Sequence, residues 1–298
     1  MQIEQQRVAL STGVELDVFT AGDAENPPVI FLHGFPESHR TWRHQMAALC
    51  DEFYCIAPNQ RGYAGSGKPQ NITDYTADKI AADLFALADA LGISGFTLAG
   101  HDWGGAIVWM AAMQNPQRVE KLIVCNGPHP FIFQRSLFDD MAQREASQYM
   151  RTFRSGYIEQ QICENGLEWF FDNSFMKYLS EDLLGLDGRA QYIAEWSHPG
   201  AMKAMLNWYR ASAIIVPPME GEVDEMPARP DYLNADFPKL SVPTLIVWGE
   251  KDRALLPCQI EGLEDVVDDV TITKVDAGHF VPWEAPEAVN AAITEWLN

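Results

Sequence analysis

The chain reads as an α/β fold, a mostly parallel eight-stranded sheet with helices on both faces and a helical segment inserted between two late strands. Three observations carry this expectation. Short apolar runs such as Val29-Ile30-Phe31-Leu32 and Thr244-Leu245-Ile246-Val247-Trp248 alternate with longer helix-like stretches. Such unbroken runs suit parallel strands buried on both faces. A glycine-rich turn follows one of them, and about a hundred residues rich in Trp, Tyr, Phe and Met separate two of the predicted strands, far more than an ordinary connection needs.

Residues 5–20 suggest two antiparallel edge strands turning at Ser11-Thr12-Gly13, and further strands are expected near 29–32, 54–57, 96–99, 122–126, 244–248 and 270–275. Ala106 to Met113 reads as the helix that follows the glycine-rich turn. This alternation places ligands at the carboxyl ends of the strands. The expected organisation is a core of residues 1–127 and 236–298 with a helical cap over 128–235, its return to the core running through the Pro- and acid-rich loop Pro217 to Pro230.

Composition narrows the function classes. A net charge of −21 argues against nucleic acid, whose phosphates need clustered Lys and Arg. Acidic stretches such as Glu220 to Glu225 and Glu261 to Asp269 read as solvated loops or helix faces. Met1 to Val8 lacks an apolar signal core, and no run approaches the ~18 to 20 apolar residues of a membrane span. A soluble cytoplasmic protein, monomer or homodimer, is the expectation. Five cysteines without ligand spacing read as free thiols, and neither a metal nor a cofactor is called for. Gly62 to Gly67 is no phosphate loop, because Lys68 is followed by Pro69.

The chemistry centres on the turn. Gly100, Gly104 and Gly105 flank His101-Asp102-Trp103, so the chain bends sharply and thrusts Asp102 outward where such strand-to-helix elbows usually carry serine. A carboxylate, already ionised at neutral pH, can displace a leaving group from saturated carbon and form an alkyl ester. Water then cleaves that ester at its carbonyl, given a base, a partner for the base, and oxyanion donors.

His279, in Asp276-Ala277-Gly278-His279-Phe280 after the strand at 270–275, is the candidate base. Asp252, following the strand at 244–248, is the candidate partner, with Glu250 as its competitor. The order nucleophile, acid, histidine is that of the nucleophile elbow in α/β-hydrolases. His33-Gly34-Phe35-Pro36 follows another buried strand, and the backbone N–H groups of Phe35 and Trp103 are the candidate oxyanion donors, with Phe35-Pro36 a candidate cis peptide. His101 is read as shaping the elbow, His33 as supporting the oxyanion loop, and His129 and His198 as lining a channel or simply packing.

Together, the His33-Gly34-Phe35-Pro36 loop, the His101–Gly105 elbow, Asp252, His279 and the segment Arg61 to Pro69 resemble the α/β-hydrolase-fold epoxide hydrolases over nearly the whole chain. Leu206-Asn207-Trp208-Tyr209-Arg210 is similar to the family segment carrying one ring-opening tyrosine, and Tyr149 in Tyr149 to Gly156 matches the other more loosely. The resemblance implies a hydrophobic epoxide and water as reactants, a vicinal diol as product, and Asp102, His279, Asp252, Tyr149 and Tyr209 as catalytic residues. Arg210 is expected to hold the segment bearing Tyr209.

Two other readings share these residues. A haloalkane dehalogenase would use the same Asp102, Asp252 and His279, with Trp103 and a second tryptophan binding halide; Trp169, Trp196 and Trp208 offer no ranking. Some dehalogenases carry the acid after the strand at 122–126, where this chain has Asn126, which cannot serve as an anion. A non-catalytic ligand-binding homologue is the remaining alternative.

Overall fold

The computed structural model describes residues 2–179, 181–185, 188–221 and 225–298. Among these, eight strands form one sheet: β1 (Glu4–Ala9), β2 (Glu15–Ala21), β3 (Pro28–Leu32), β4 (Tyr54–Pro58), β5 (Phe96–His101), β6 (Val119–Cys125), β7 (Thr244–Gly249) and β8 (Val270–Val275). Their order is β1-β2-β4-β3-β5-β6-β7-β8, with β1 and β2 antiparallel to their neighbours and the other pairs parallel.

The apolar runs are continuous because both faces are covered. Along β3, Ile30 and Leu32 enter one core while Val29 and Phe31 enter the other. In β7, Ile246 and Trp248 oppose Leu245 and Val247 in the same way. The two-residue period of a strand thus feeds two helical layers. Helix α1 (Arg43–Leu49) covers the second face with the C-terminal helix, while α2 (Ala77–Ala90) and α3 (Trp103–Gln114) cover the first. Strand β8 is an exposed edge bearing Thr271, Thr273 and Lys274, polar residues that discourage further pairing.

Two boundaries differ from the sequence reading. β6 begins at Val119 and stops at Cys125, because Asn126 adopts φ 37° and leaves the extended region. Helix α3 begins at Trp103 rather than Ala106, since Gly104 and Gly105 lie in its first turn.

Between β6 and β7 the chain passes through α4 (Pro130–Asp139), α5 (Met141–Ala146), α6 (Tyr149–Arg154), α7 (Tyr157–Ser174, bent at Gly166), α8 (Gly188–Trp196) and α9 (Ala201–Ala211). Helices α10 (Val281–Glu284) and α11 (Pro286–Leu297) close the chain. The segment after α9 is irregular up to a short turn at Asp231–Asn234, with residues 222–224 of the acidic stretch at 220–225 outside the described residues. No helix among the described residues is long and apolar enough to cross a membrane.

Candidate active site

Four strand ends meet at one place. β5 delivers Asp102, whose backbone takes φ 51° and ψ −120°, a costly conformation for a residue with a Cβ. Close packing of small residues enforces it. A Cβ on Gly104 would strike the carbonyl oxygen of Leu32, and one on Gly34 would strike the Asp102 side chain itself.

The loop after β3 wraps over this elbow with Phe35-Pro36 in the cis form. The Phe35 N–H donates to Asp102 Oδ1 at 2.8 Å. The Trp103 N–H is the first of α3, a position that helix geometry leaves without an intrahelical acceptor. His33 holds the loop from beneath: its Nε2 accepts from Gln60 N–H, and Gln60 Nε2 donates to the His33 carbonyl.

His279, after β8, lies with Nε2 3.5 Å from Asp102 Oδ2 and donates through Nδ1 to Asp252 Oδ2 at 2.7 Å. Asp252 is buried, and its Oδ1 accepts the N–H groups of Ala254 and Leu255. Glu250, the competitor, is exposed and pairs with Lys274. Burial by itself would lower the His279 pKa, but the charges of Asp252 and Asp102 and hydrogen bonds to both outweigh it and raise the pKa well above 6.5. For Asp102, burial acts to raise the pKa, yet the hydrogen bond and charge of His279, with help from the Phe35 N–H, hold it below the ordinary carboxylate value.

The helices between β6 and β7 supply the opposite wall. Tyr149 opens α6 and Tyr209 lies near the end of α9, their ring centroids 6.2 Å apart. Both phenols line two cavity lobes that meet at Asp102. One lobe, of about 440 Å³, runs along Phe133, Met150 and Ile214; the other, of about 630 Å³, runs along Phe153, Tyr178 and His279. Burial, and then the charge of nearby groups including Asp102, pushes both phenol pKa values well above 10, so both remain proton donors.

Arg210 does more than the sequence suggested, and it has a counterpart. Arg154 of α6 donates to the carbonyls of Tyr209 (3.0 Å) and Ile214 (2.7 Å), while Arg210 of α9 donates to those of Arg154 (3.4 Å) and Ser155 (3.1 Å) and pairs with Glu159. Each tyrosine-bearing helix is thereby fastened to the other.

Sequence reasoning missed three supporting residues. Asn126, noticed only for what it could not be, donates to Asp252 Oδ2 at 2.8 Å and accepts the Gly249 N–H at 2.7 Å. Its place at the end of β6, beside the acid-bearing β7, was the available signal. Buried Glu37 accepts from Gly34 N–H, from Thr41 and from His101 Nδ1 at 2.7 Å. His101 Nε2 in turn lies 2.8 Å from the carbonyl of His279, so the elbow, the oxyanion loop and the histidine loop share one polar network. Buried Gln143 of α5 donates to the Ala254 carbonyl and accepts the Leu256 N–H, bracing the Asp252 loop. Of the remaining histidines, His198 is exposed, whereas His129 packs edge-on to Trp109 and burial pushes its pKa down to about 3. Among the described residues no cluster of His, Cys, Asp and Glu could hold a metal ion.

An eight-stranded sheet of this order, with a carboxylate on a strained elbow facing a histidine and a second carboxylate, defines an α/β hydrolase. The family model for the alpha/beta hydrolase fold matches residues 27–286, and the chain belongs to that family, among its epoxide hydrolases. YfhM of Bacillus subtilis, an AB hydrolase superfamily protein, is 33% identical over 96% of both chains. Epoxide hydrolase 4 of Mus musculus is 31% identical, covering 96% of this chain and 77% of its own length. Among solved structures, an epoxide hydrolase from metagenomes of hot environments superposes with a TM-score of 0.90 at 47% identity, covering 100% of this chain and 99% of that one. The Bacillus megaterium epoxide hydrolase bound to an inhibitor gives 0.85 at 29% identity, covering 98% and 100% respectively.

Proposed function

We propose that the protein hydrolyses hydrophobic epoxides to vicinal diols through an Asp102 alkyl ester, as an enzyme of the cytoplasm. The observation that carries this is the pairing of two buried, protonated phenols with an ionised carboxylate across one cavity.

The two Asp102 oxygens have different surroundings and hence different tasks. Oδ1 is engaged by the Phe35 N–H, so Oδ2, on the side of His279, is the attacking atom. As its lone pair forms the C–O bond, the ring C–O bond breaks and its electrons pass to the former ring oxygen. Tyr149 and Tyr209 donate to that oxygen as charge develops. The alkoxide is a poor leaving group, and without these donors the step would be slow.

Esterification also changes His279. Alkylated Asp102 carries no charge, which removes one of the influences that raise the histidine pKa and leaves burial opposed by Asp252 alone. The ring can then take a proton from water, whose hydroxide attacks Cγ of Asp102. The resulting oxyanion forms on Oδ1, within reach of the Phe35 N–H and, in this reading, of the Trp103 N–H. Collapse expels the diol oxygen, which takes the proton back from His279. The charge of Asp252, held by Asn126 and two backbone N–H groups, stabilises the imidazolium throughout.

In this reading residues 128–235 form a cap whose helices exclude water and position the phenols. The indole N–H groups of Trp196 and Trp208 donate to the carbonyls of Pro36 (2.9 Å) and Arg61 (3.0 Å) and so are engaged within the protein, which weighs against halide binding by either. Single turnover in ¹⁸O water is the decisive experiment. The first diol should carry unlabelled oxygen drawn from Asp102; label appearing in that first diol would defeat the covalent route.

A further inference from the structure

A third cavity lies beyond the lobe lined by Phe133 and Ile214. It is larger than either lobe, at about 1070 Å³, and it shares Trp103, Ala106, Pro130 and Ile214 as walls with the 440 Å³ lobe. Tyr75, Ile107, Met110, Phe131 and Trp208 extend it outward between α2, α3, α4 and the end of α9. Its lining is mostly apolar, and Met110, Phe131 and Ile214 are only partly covered. Asp78 is the charged member of its wall among the described residues.

We propose that this groove is a subsite for the hydrocarbon tail of long-chain, uncharged epoxides, an inference that rests on the ring-opening reading above. The argument is one of continuity and chemistry. A chain leaving the reacting carbon through the smaller lobe meets the shared wall at Ile214 and Ala106 and passes directly into the groove. The fixed side of that passage is aromatic: Trp103 stands edge-on to Trp208, with ring centroids 6.1 Å apart, and the Trp208 N–H is anchored to the Arg61 carbonyl. A half-covered apolar groove gains most from burying methylenes. Asp78, with no cation beside it in the wall, disfavours a tail that ends in a carboxylate.

The test is kcat/KM for 1,2-epoxyalkanes from butane to hexadecane, each below its aggregation concentration. The wild-type chain is compared with Met110→Trp and Ala77→Trp, which fill the groove from two sides and touch neither lobe. The expected wild-type result is a rise of up to about fourfold for each added methylene that is buried, followed by a plateau. Both variants should lose that rise for long chains, keep turnover of 1,2-epoxybutane within twofold, and retain the wild-type Tm. A wild-type series that is flat with length, or a rise that persists in both folded variants, would overturn the subsite. Loss of kcat by a common factor for all lengths would also overturn it, showing a product passage instead. If 1,2-epoxybutane and styrene oxide are both untouched by the wild type, the ring-opening reading fails and takes this inference with it. Turnover of both without dependence on length removes the groove alone.

Discussion

The two halves of the site are built on different principles. The half beneath the substrate rests on the sheet: Asp102, Asp252, His279 and the Phe35 loop each follow a strand, and each is tied by backbone hydrogen bonds or by the Glu37–His101 network. The half above it rests on short helices. Tyr149 begins a helix of six residues, too short to persist alone, and Tyr209 sits two residues from the end of an eleven-residue one. Long-range backbone pairing gives rigidity below; crossed arginine-to-carbonyl bonds give it above. The contrast teaches that one reaction can divide its labour, with ester chemistry assigned to the rigid sheet and ring opening to a clamped pair of helices.

The sharpest way to break this comparison is at the nucleophile. Asp102→Ala should lower turnover by at least about 10⁴-fold, with both phenols in place, as steady-state diol formation would show. His279→Gln should be nearly as damaging, by about 10⁴-fold in kcat, but with a different signature: intact-mass measurement should find the alkylated protein accumulating, because only the second step is lost. A variant that makes no ester would place His279 in the first step and undo the division.

Upper-half changes should slow ester formation and spare its hydrolysis. Tyr149→Phe and Tyr209→Phe are each expected to reduce the alkylation rate by about 10²-fold, and the pair together by more. Stopped-flow fluorescence of the site tryptophans separates the two steps. Arg154→Met, which touches no reacting group, should lower alkylation by about tenfold through misplacement of Tyr209, with Arg154→Lys recovering part of the loss. Equal slowing of both steps would mean that the clamp serves the whole site.

The smallest expected effect is one of stability with pH. The His279 pKa is raised in the folded chain, so its stabilising contribution is complete below about 6.5 and fades as pH climbs through the folded value. The lowered pKa of Asp102 acts oppositely, its contribution being lost only as pH falls below about 3.8. The gap in Tm between wild type and His279→Gln should therefore be wider at pH 5.5 than at pH 9. A gap that is constant or that widens with pH would contradict the ion pair.

The lower half was the more legible in sequence for the same physical reason that makes it rigid. Buried parallel strands leave continuous apolar runs, their ends are marked by Gly and polar residues, and Asp102, Asp252 and His279 each stand just past such an end. The roles of Asn126, Glu37 and Gln143 stayed hidden because they depend on which strand or helix lies beside which, and strand order is not written in any local window. In the upper half Tyr209 was visible through its motif and Tyr149 less so. Arg154 was invisible, since its partner carbonyls at 209 and 214 lie more than fifty residues away. The start of α3 was misplaced for a local reason: glycines usually weaken a helix, but here they let its first turn press against the β3 loop.

The crossed arginines have a practical consequence for anyone recombining such enzymes. A chimera that exchanges residues 141–156 but leaves 201–214 from another parent would strand each guanidinium opposite an unmatched backbone, and a crossover anywhere in the intervening stretch divides a unit that works only whole. Library design should treat α6 through the strand-like segment after α9 as one inheritable block, with breakpoints placed before Met141 and beyond Val216, where the chain passes between these bonds rather than through them.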